Sequence, residues 1–242
     1  MNHIVRYAKI FWIYFWAVIM TLILFLPVTI VAFLSSTGNL PFTLSKIWAC
    51  VMLWVTGVRV SIEGKEKIKE GQSYVIVSNH QSLYDILALV ISLGVQYRWV
   101  IKKELLKVPL FGHTLYASRN IFIDRSNIEK ARDSIRKGLD RLPPGVSVMF
   151  FAEGTRSPDG RLKEFKKGAF NVALERHLPI LPVTVNGSRR VLPKGSIVFS
   201  SGRIRVVVAD PIVTQGYTHD ALPELMEKTR SAVQSNLVPD NN

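Results

Sequence analysis

The first 60 residues carry no acidic side chain, and most of their positions are apolar. No charged residue occurs in the 36 positions between Lys9 and Lys46. Within them, Phe11 to Leu34 form 24 almost wholly apolar positions, which as an α-helix would be roughly 36 Å long. That length predicts a membrane helix. The alternative is a cleaved signal peptide, but the apolar part is too long for one and a second apolar stretch follows it.

The second apolar stretch, Phe42 to Val58, contains one lysine and two tryptophans, with its polar residues gathered at its start. Such residues favour the membrane interface. Together the two stretches predict a helical hairpin that turns at residues 35–41. Arg6 precedes this hairpin and Arg59 follows it, so the positive-inside rule places both ends on the cytoplasmic side. Because Pro27 can kink the first helix, two full crossings and a hairpin that dips into one leaflet both remain open.

From about Ser61 onward, short β-rich runs alternate with longer helical patterns. The predicted strands are Tyr74–Val77, Arg98–Ile101, Ile121–Ile123, Val146–Phe151, Ile180–Val185 and Ile204–Val208. The predicted helices are Leu83–Leu93, Ile128–Leu142, Gly168–His177 and Ala221–Leu237. Several strands are apolar on consecutive positions, as expected when helices cover both faces of a sheet. The predicted fold class is therefore α/β, with a mixed, largely parallel sheet (residues 61–242) preceded by the membrane hairpin (residues 1–60).

The net charge of +13 and a pI near 10.0 suggest a polyanionic partner, such as nucleic acid, an anionic lipid surface or a phosphorylated substrate. Soluble nucleic-acid binders do not begin with so long an uncharged segment, so we expect no nucleic-acid partner. The single cysteine, Cys50, excludes an intramolecular disulfide and fits a reducing, cytosol-facing location.

Polar clusters follow three of the predicted strands. They are Asn79-His80, Asp124-Arg125 and the run Glu153-Gly154-Thr155-Arg156. In open α/β sheets, reactive side chains collect on loops just after the carboxyl ends of strands. We therefore expect the three clusters to face one crevice.

The stretch SNHQSLYD, residues 78–85, is the strongest candidate for catalysis. The spacing of His80 and Asp85 lets the carboxylate fold back onto the imidazole, fix its tautomer and leave the other ring nitrogen as a base. As an alternative, Ser82 and Asp85 also match a helix capping box. No enzyme nucleophile is evident, since there is no G-x-S-x-G elbow and Cys50 lies in the membrane segment. The nucleophile should then be a substrate hydroxyl attacking an activated acyl group.

The stretch FAEGTRS, residues 151–157, offers a site for a phosphate. Arg156 supplies a rigid, charged donor fork, and Gly154 allows close backbone approach. Alternatively, Thr155 caps a turn and Arg156 pairs with Glu153. No metal-binding or nucleotide-binding motif occurs, so no metal and no cofactor are predicted. Further basic residues that could add to the same positive pocket are Lys102, Lys103 and Arg125.

Four ordered segments resemble the conserved blocks of the glycerolipid acyltransferases. These segments are NHQSLYD, RNIFIDR, FAEGTRS and ILPVTV, between residues 75 and 186, and the hairpin in front is also similar. The likeness is greatest to the bacterial members that acylate 1-acylglycerol 3-phosphate. Ala152 stands where the third block often has proline, a position that contributes backbone shape and no reacting group.

The resemblance implies that His80 is the general base and Asp85 its orienting partner. It also implies an enzyme of the bacterial inner membrane, with its catalytic domain on the cytoplasmic side. There it would transfer a fatty acyl group from acyl-CoA or acyl-acyl carrier protein to the sn-2 hydroxyl of lysophosphatidic acid, forming phosphatidic acid. Two alternatives remain open: an acyltransferase that acts on another lysophospholipid, glycerol 3-phosphate or an amino-acid lipid, and a non-catalytic membrane protein that binds anionic lipid. Substrate binding would involve Glu153, Gly154, Thr155 and Arg156, with Lys103 and Arg125 as secondary candidates.

Overall fold

A seven-stranded sheet forms the centre of the molecule in the computed structural model, which describes residues 3–124 and 126–239. The strand order is β1-β7-β6-β2-β5-β3-β4. All neighbouring strands pair in parallel except β6 and β7, which are antiparallel. The predicted mixed, largely parallel sheet is therefore confirmed. The strands are β1 (Val58–Glu63), β2 (Val75–Ser78), β3 (Tyr97–Lys102), β4 (Ile121–Ile123), β5 (Ser147–Phe151), β6 (Ile180–Asn186) and β7 (Gly202–Val208).

Eight α-helices accompany these strands in the described part of the chain. Their bounds are α1 (His3–Leu34), α2 (Asn39–Val55), α3 (Tyr84–Ser92), α4 (Phe111–Ala117), α5 (Ile128–Leu139), α6 (Gly168–Glu175), α7 (Ser188–Val191) and α8 (Leu222–Ser235). Two short 3₁₀ turns cover Lys65–Lys67 and Lys103–Lys107. By length and composition, α1 can cross a membrane, whereas α2 is shorter.

Alternate strand residues divide the apolar core into two layers, as the period of two in a strand requires. Along β2, Ile76 packs with α2 and α3 on one face of the sheet. Val75 and Val77 pack with α5, α6 and α8 on the other face. The helical hairpin and the α5–α6 pair therefore lie on opposite sides of the sheet.

The hairpin of α1 and α2 contacts the globular part of the chain near its start and again at its turn. Close to its start, the Lys9 ammonium donates a 3.3 Å hydrogen bond to the carbonyl of Phe199. At its turn, the Arg98 guanidinium donates a 2.8 Å bond to the carbonyl of Thr37 and a further bond to the side chain of Asn39. The hairpin consequently packs lengthwise against the domain instead of projecting from it.

Arg98 lies in β3 and is wholly buried, which is unusual for an arginine. Its guanidinium also bonds the carbonyl of Tyr97 and lies 5.5 Å from the ring centroid of Phe42. Burial lowers the pKa of Arg98 to about 10. These contacts provide partners for both terminal nitrogens of the guanidinium, whereas its buried Nε atom has none among the described residues, and they fix the hairpin turn to the start of β3.

The predicted strands and long helices lie within a few residues of those observed. Three of these helices and strands were not predicted, namely the first strand β1, the seven-residue helix α4 and the four-residue helix α7. Because β1 begins at Val58, the boundary expected between residues 60 and 61 falls inside a strand. The division into two domains stays a prediction.

Candidate active site

The neighbouring strands β2 and β5 place two of the polar clusters side by side. Ser78 is in register with Phe151, so the residues that follow each strand leave the same edge of the sheet together. Asn79 closes this edge on the other side, because its side-chain amide exchanges two hydrogen bonds, of 2.9 and 2.7 Å, with the backbone of Val185 in β6. The turn that carries His80 is thereby held between three strands.

His80 and Asp85 form the pair that the sequence predicts. The ring Nδ1 atom lies 2.7 Å from the Oδ2 atom of Asp85, whose side chain is completely buried. The same Oδ2 accepts the backbone N–H groups of Gln81 and Ser82, at 2.7 and 2.8 Å. The capping interaction and the imidazole contact thus occur together. No described residue bonds the Nε2 atom of His80, and its side chain is 13% exposed, so that nitrogen is available to a substrate.

The Ser82 hydroxyl is used within the fold. It donates a 2.8 Å hydrogen bond to the carbonyl of Leu192 and accepts a 3.2 Å bond from the backbone N–H of Tyr84. Ser82 is also fully buried. These contacts are consistent with the expectation that the enzyme itself supplies no serine nucleophile.

The Phe151 ring packs against one face of the His80 imidazole. Its ring stacks on the His80 ring with a centroid separation of 3.8 Å and an angle of 9°. Trp99 stacks in turn on Phe151 at 5.2 Å. This contact was not predicted, although Phe151 directly ends the strand that leads into the third cluster. The stacking and the Asp85 bond together restrict the imidazole to one plane.

Glu153 is turned into the protein and is only 3% exposed. One carboxylate oxygen accepts the backbone N–H of His80 at 2.7 Å, and the other accepts that of Lys163 at 3.1 Å. Burial raises the pKa of Glu153 to about 7, although both of these hydrogen bonds act in the opposite direction. The carboxylate therefore joins the His80 turn to the loop that follows β5.

That loop carries the remaining members of the third cluster. Gly154 has a φ of 71°, a left-handed conformation that favours glycine. Thr155 is exposed and Arg156 half-buried. The buried Ser157 donates its backbone N–H to the carbonyl of His80 at 2.7 Å, which holds the loop against the His80 turn. Within residues 3–124 and 126–239 the Arg156 guanidinium has no acidic partner, so the alternative ion pair with Glu153 does not form.

The second cluster lies farther along the same edge. Asp124 follows β4, which is separated from β5 by β3 and so lies roughly 10 Å from it across the sheet. The Lys103 ammonium pairs with the Asp124 carboxylate, and this hydrogen bond holds the pKa of Asp124 well below its usual range. Arg125, predicted to bind substrate, lies outside the described residues. Lys103 and Asp124 thus form a pair of their own, and β4 lies three strands along the sheet from β2, which carries the His80 turn.

Within the described ranges, no group of three or more His, Cys, Asp or Glu side chains is arranged to hold a metal ion. The chemistry available at this edge consists of an oriented imidazole, a buried carboxylate behind it and a basic loop. Such a set can remove a proton from a hydroxyl group and bind an anionic group nearby.

The mixed, largely parallel sheet with its helical hairpin agrees with the comparisons to known proteins. A profile of the Acyltransferase family matches residues 59–186, which is more than half of the chain. The chain belongs to the acyltransferase family. This match includes β2, β5 and β6 and all residues of the site described above.

Three similar proteins bear related names. The chain is 34% identical to the chloroplastic 1-acyl-sn-glycerol-3-phosphate acyltransferase of Arabidopsis thaliana over 171 residues, which are 70% of this chain and 48% of that protein. It is 33% identical to the human 1-acyl-sn-glycerol-3-phosphate acyltransferase alpha over 181 residues, 74% of this chain and 64% of that protein. The chain therefore spans about half of the plant relative's length.

The third similar protein is a solved structure. The 1-acyl-sn-glycerophosphate acyltransferase of Thermotoga maritima matches with a TM-score of 0.80 and 24% identity, covering 98% of this chain and 99% of that one. At this identity the likeness establishes the shared fold, including the order of hairpin and sheet.

Proposed function

We propose that this protein acylates the sn-2 hydroxyl of 1-acyl-sn-glycerol 3-phosphate to form phosphatidic acid, using a fatty acyl thioester as donor. The observation that carries the proposal is the His80–Asp85 pair, which leaves one ring nitrogen open to a hydroxyl in a chain of the acyltransferase family. The names of the plant and human relatives support this choice of acceptor.

In the proposed reaction, Nε2 of His80 takes the proton of the sn-2 hydroxyl while that oxygen attacks the thioester carbonyl. The new carbon–oxygen bond forms, the carbon–sulfur bond breaks, and the imidazolium returns the proton to the leaving thiolate. Asp85, which is completely buried, stabilises the transient positive charge on the ring across 2.7 Å. The ring begins and ends the cycle neutral, and no acyl group is attached to the enzyme.

The acceptor phosphate is assigned to the loop after β5. Arg156 offers its guanidinium fork, Thr155 an exposed hydroxyl and Gly154 a backbone without a side chain. Arg125 stays a candidate for the same group. Lys103 is assigned no contact with the phosphate, because its ammonium is already paired with Asp124.

Glu153 receives a different role from the phosphate contact that the resemblance implies. Both of its oxygens are occupied by backbone N–H groups, and a buried carboxylate would repel a phosphate. We assign it as a positioning residue, which holds the His80 turn and the phosphate-binding loop in a fixed relation.

An apolar cavity of about 100 Å³ supports a substrate with a fatty chain. It lies between the hairpin and the domain, and its walls include Phe42 and Ala49 of α2, Ile86 of α3 and Trp99 of β3. Since Trp99 stacks on Phe151 and Phe151 on His80, this space lies two aromatic rings away from the base.

The outer face of the hairpin is suited to lie in a bilayer. Large apolar side chains on α1 remain exposed in the protein, among them Phe11, Phe15, Leu26 and Phe33. Because the hairpin contacts the domain at its start and at its turn, it is suited to enter one leaflet and return. We therefore propose monotopic attachment to the cytoplasmic side of a bacterial inner membrane. The net charge of the part from Ser61 onward, 27 − 18 = +9, would favour an anionic lipid surface.

The test is an acceptor panel with the purified full-length protein in phospholipid vesicles. Lysophosphatidic acid, monoacylglycerol and lysophosphatidylcholine are offered with oleoyl-CoA, and the products are separated by chromatography. We expect phosphatidic acid to form at least 10-fold faster than either other product, since only the first acceptor presents an unsubstituted phosphate monoester to Arg156. Equal rates with monoacylglycerol would refute the assigned acceptor.

A further inference from the structure

A second crevice lies at the carboxyl ends of the strands, on the side of the sheet opposite the hairpin. It is an open groove of about 550 Å³ between α5, the start of α6 and the carboxyl ends of β3, β4 and β5. This volume lies within the range of roughly 300–1,000 Å³ that is typical of small-molecule sites. Apart from Gly154 and Thr155, which were assigned to the acceptor phosphate, its walls bind no substrate in the reaction described above.

One end of the groove belongs to the active site. Its wall includes Phe151, whose ring stacks on His80 at 3.8 Å, and Glu153, which accepts the backbone N–H of His80. Gly154 and Thr155 also line it. Because the Phe151 side chain packs with the core on the α2–α3 face, a molecule lying in the groove would reach His80 by passing its end around the β5 loop.

The rest of the groove combines an apolar floor with a basic mouth. The floor is formed by aliphatic and aromatic side chains, including Ile123, Ile135 and Phe150. Arg132 and Lys166 stand at its edge, and both are exposed. This distribution is complementary to a molecule with a long, weakly polar arm and an anionic end.

A lipid that arrives from the membrane would not enter the groove, because of the groove's position on the sheet. The hairpin covers the α2–α3 face of the sheet, while the groove opens on the α5–α6 face. With the hairpin in a leaflet, the groove faces water. Of the two proposed substrates, the acyl donor is the one that reaches the enzyme from the aqueous phase, carried on a soluble group.

We propose that this groove binds the 4′-phosphopantetheine arm of the acyl donor. The arm would lie along the apolar floor, with its thioester toward His80 and its phosphate near Arg132 and Lys166. Coenzyme A and acyl carrier protein share this arm, so the site serves either donor. The inference rests on the proposed acyl transfer and deepens it by naming where the donor binds.

Two variants test the groove without altering the catalytic turn. Ala131→Trp fills the groove from α5, where Ala131 is half-buried. Ile128→Asp places a negative charge at the mouth, and it should leave folding intact because Ile128 is 78% exposed at the first position of α5, where an acidic residue is favourable. Lys228→Glu, an exposed change on α8, is the control for altered surface charge.

Steady-state rates in vesicles are measured with oleoyl-CoA and with oleoyl-acyl carrier protein. We expect both groove variants to raise the donor KM about 10-fold, and the acceptor KM by less than 2-fold, with either donor. Free 4′-phosphopantetheine should inhibit the unchanged protein in competition with the donor. Unchanged donor KM values in both variants, an equal rise of the acceptor KM, or the absence of competition would overturn the proposal.

Calorimetric titration with coenzyme A, without any acceptor, separates this proposal from the proposed function. We expect coenzyme A to bind the unchanged protein, and to bind the Ile128→Asp variant about 10-fold more weakly. This result supports the groove even if lysophosphatidic acid proves not to be the acceptor. Binding that is unaffected by both variants contradicts the groove even if phosphatidic acid is formed. The variant Arg132→Glu compares the two donors. If it raises the KM of one donor more than that of the other, the negative charges of that donor's carrier group lie near α5.

Discussion

Replacing Glu153 with glutamine keeps the side-chain shape and removes one hydrogen-bond acceptor. The carboxylate accepts two backbone N–H groups, those of His80 and Lys163, whereas an amide offers one oxygen and turns its NH₂ group toward the other donor. Glu153 is only 3% exposed, so water does not replace the lost bond. A buried donor left unpaired costs about 1–3 kcal/mol. If that cost displaces the His80 turn, kcat falls roughly 5- to 150-fold.

The same substitution also removes a contribution to the stability of the folded protein that depends on pH. Burial raises the pKa of Glu153 from 4.5 to about 7, so the folded protein binds this proton more tightly than the unfolded chain. The resulting stabilisation is complete below about pH 4.5 and is lost as the pH rises through about 7, a total of about 3 kcal/mol. Glutamine cannot ionise. The variant should therefore lack this decline and be no less stable than the unchanged protein at pH 8.

The assay combines initial rates with thermal unfolding of the same vesicle preparations, the latter from about pH 4.5 to about pH 8 so that it covers the whole decline. We expect Glu153→Gln to lower kcat and to change the KM of acceptor and donor less than 3-fold. Glu164→Gln, at an exposed position on the same loop, is the matched control and should have normal kinetics. An unchanged kcat with a lower acceptor KM would show that Glu153 faces the phosphate, and the positioning role would then be wrong.

Three further predictions concern other parts of the structure. Arg156→Lys keeps the charge and loses the fork, so the acceptor KM should rise about 10-fold and the donor KM less than 2-fold; an equal rise in both would refute phosphate binding by Arg156. Phe151→Ala removes the ring under His80, worth about 0.5–1.5 kcal/mol of stacking, and should lower kcat several-fold in a single-turnover assay. Unaltered single-turnover rates would show that the stacking has no catalytic effect. Finally, washing membranes with high salt or carbonate should leave the full-length protein in the pellet, because its hairpin is held by apolar burial; release into the supernatant would contradict that attachment.

Local patterns predicted most of the sheet and the His80–Asp85 pair, because both depend on residues close together in the chain. Strand β1 was not predicted, since its alternating sequence VRVSIE follows an apolar helix and is stabilised by pairing with β7, over 140 residues later. The role of Glu153 depends on the adjacency of β2 and β5, which is a property of the strand order. The position of the hairpin likewise depends on Arg98, a basic residue whose burial is visible only in the folded chain.

The central claim is that His80 acts as the base that activates the acceptor hydroxyl. The most direct measurement compares the rate of phosphatidic acid formation from lysophosphatidic acid and oleoyl-CoA by the unchanged protein and by His80→Ala, in vesicles with equal amounts of folded, membrane-bound enzyme. Loss of a general base typically lowers the rate by about 10²–10⁴-fold, and we expect a loss of at least that size with acceptor binding retained. A variant that keeps more than a tenth of the rate would contradict the assignment.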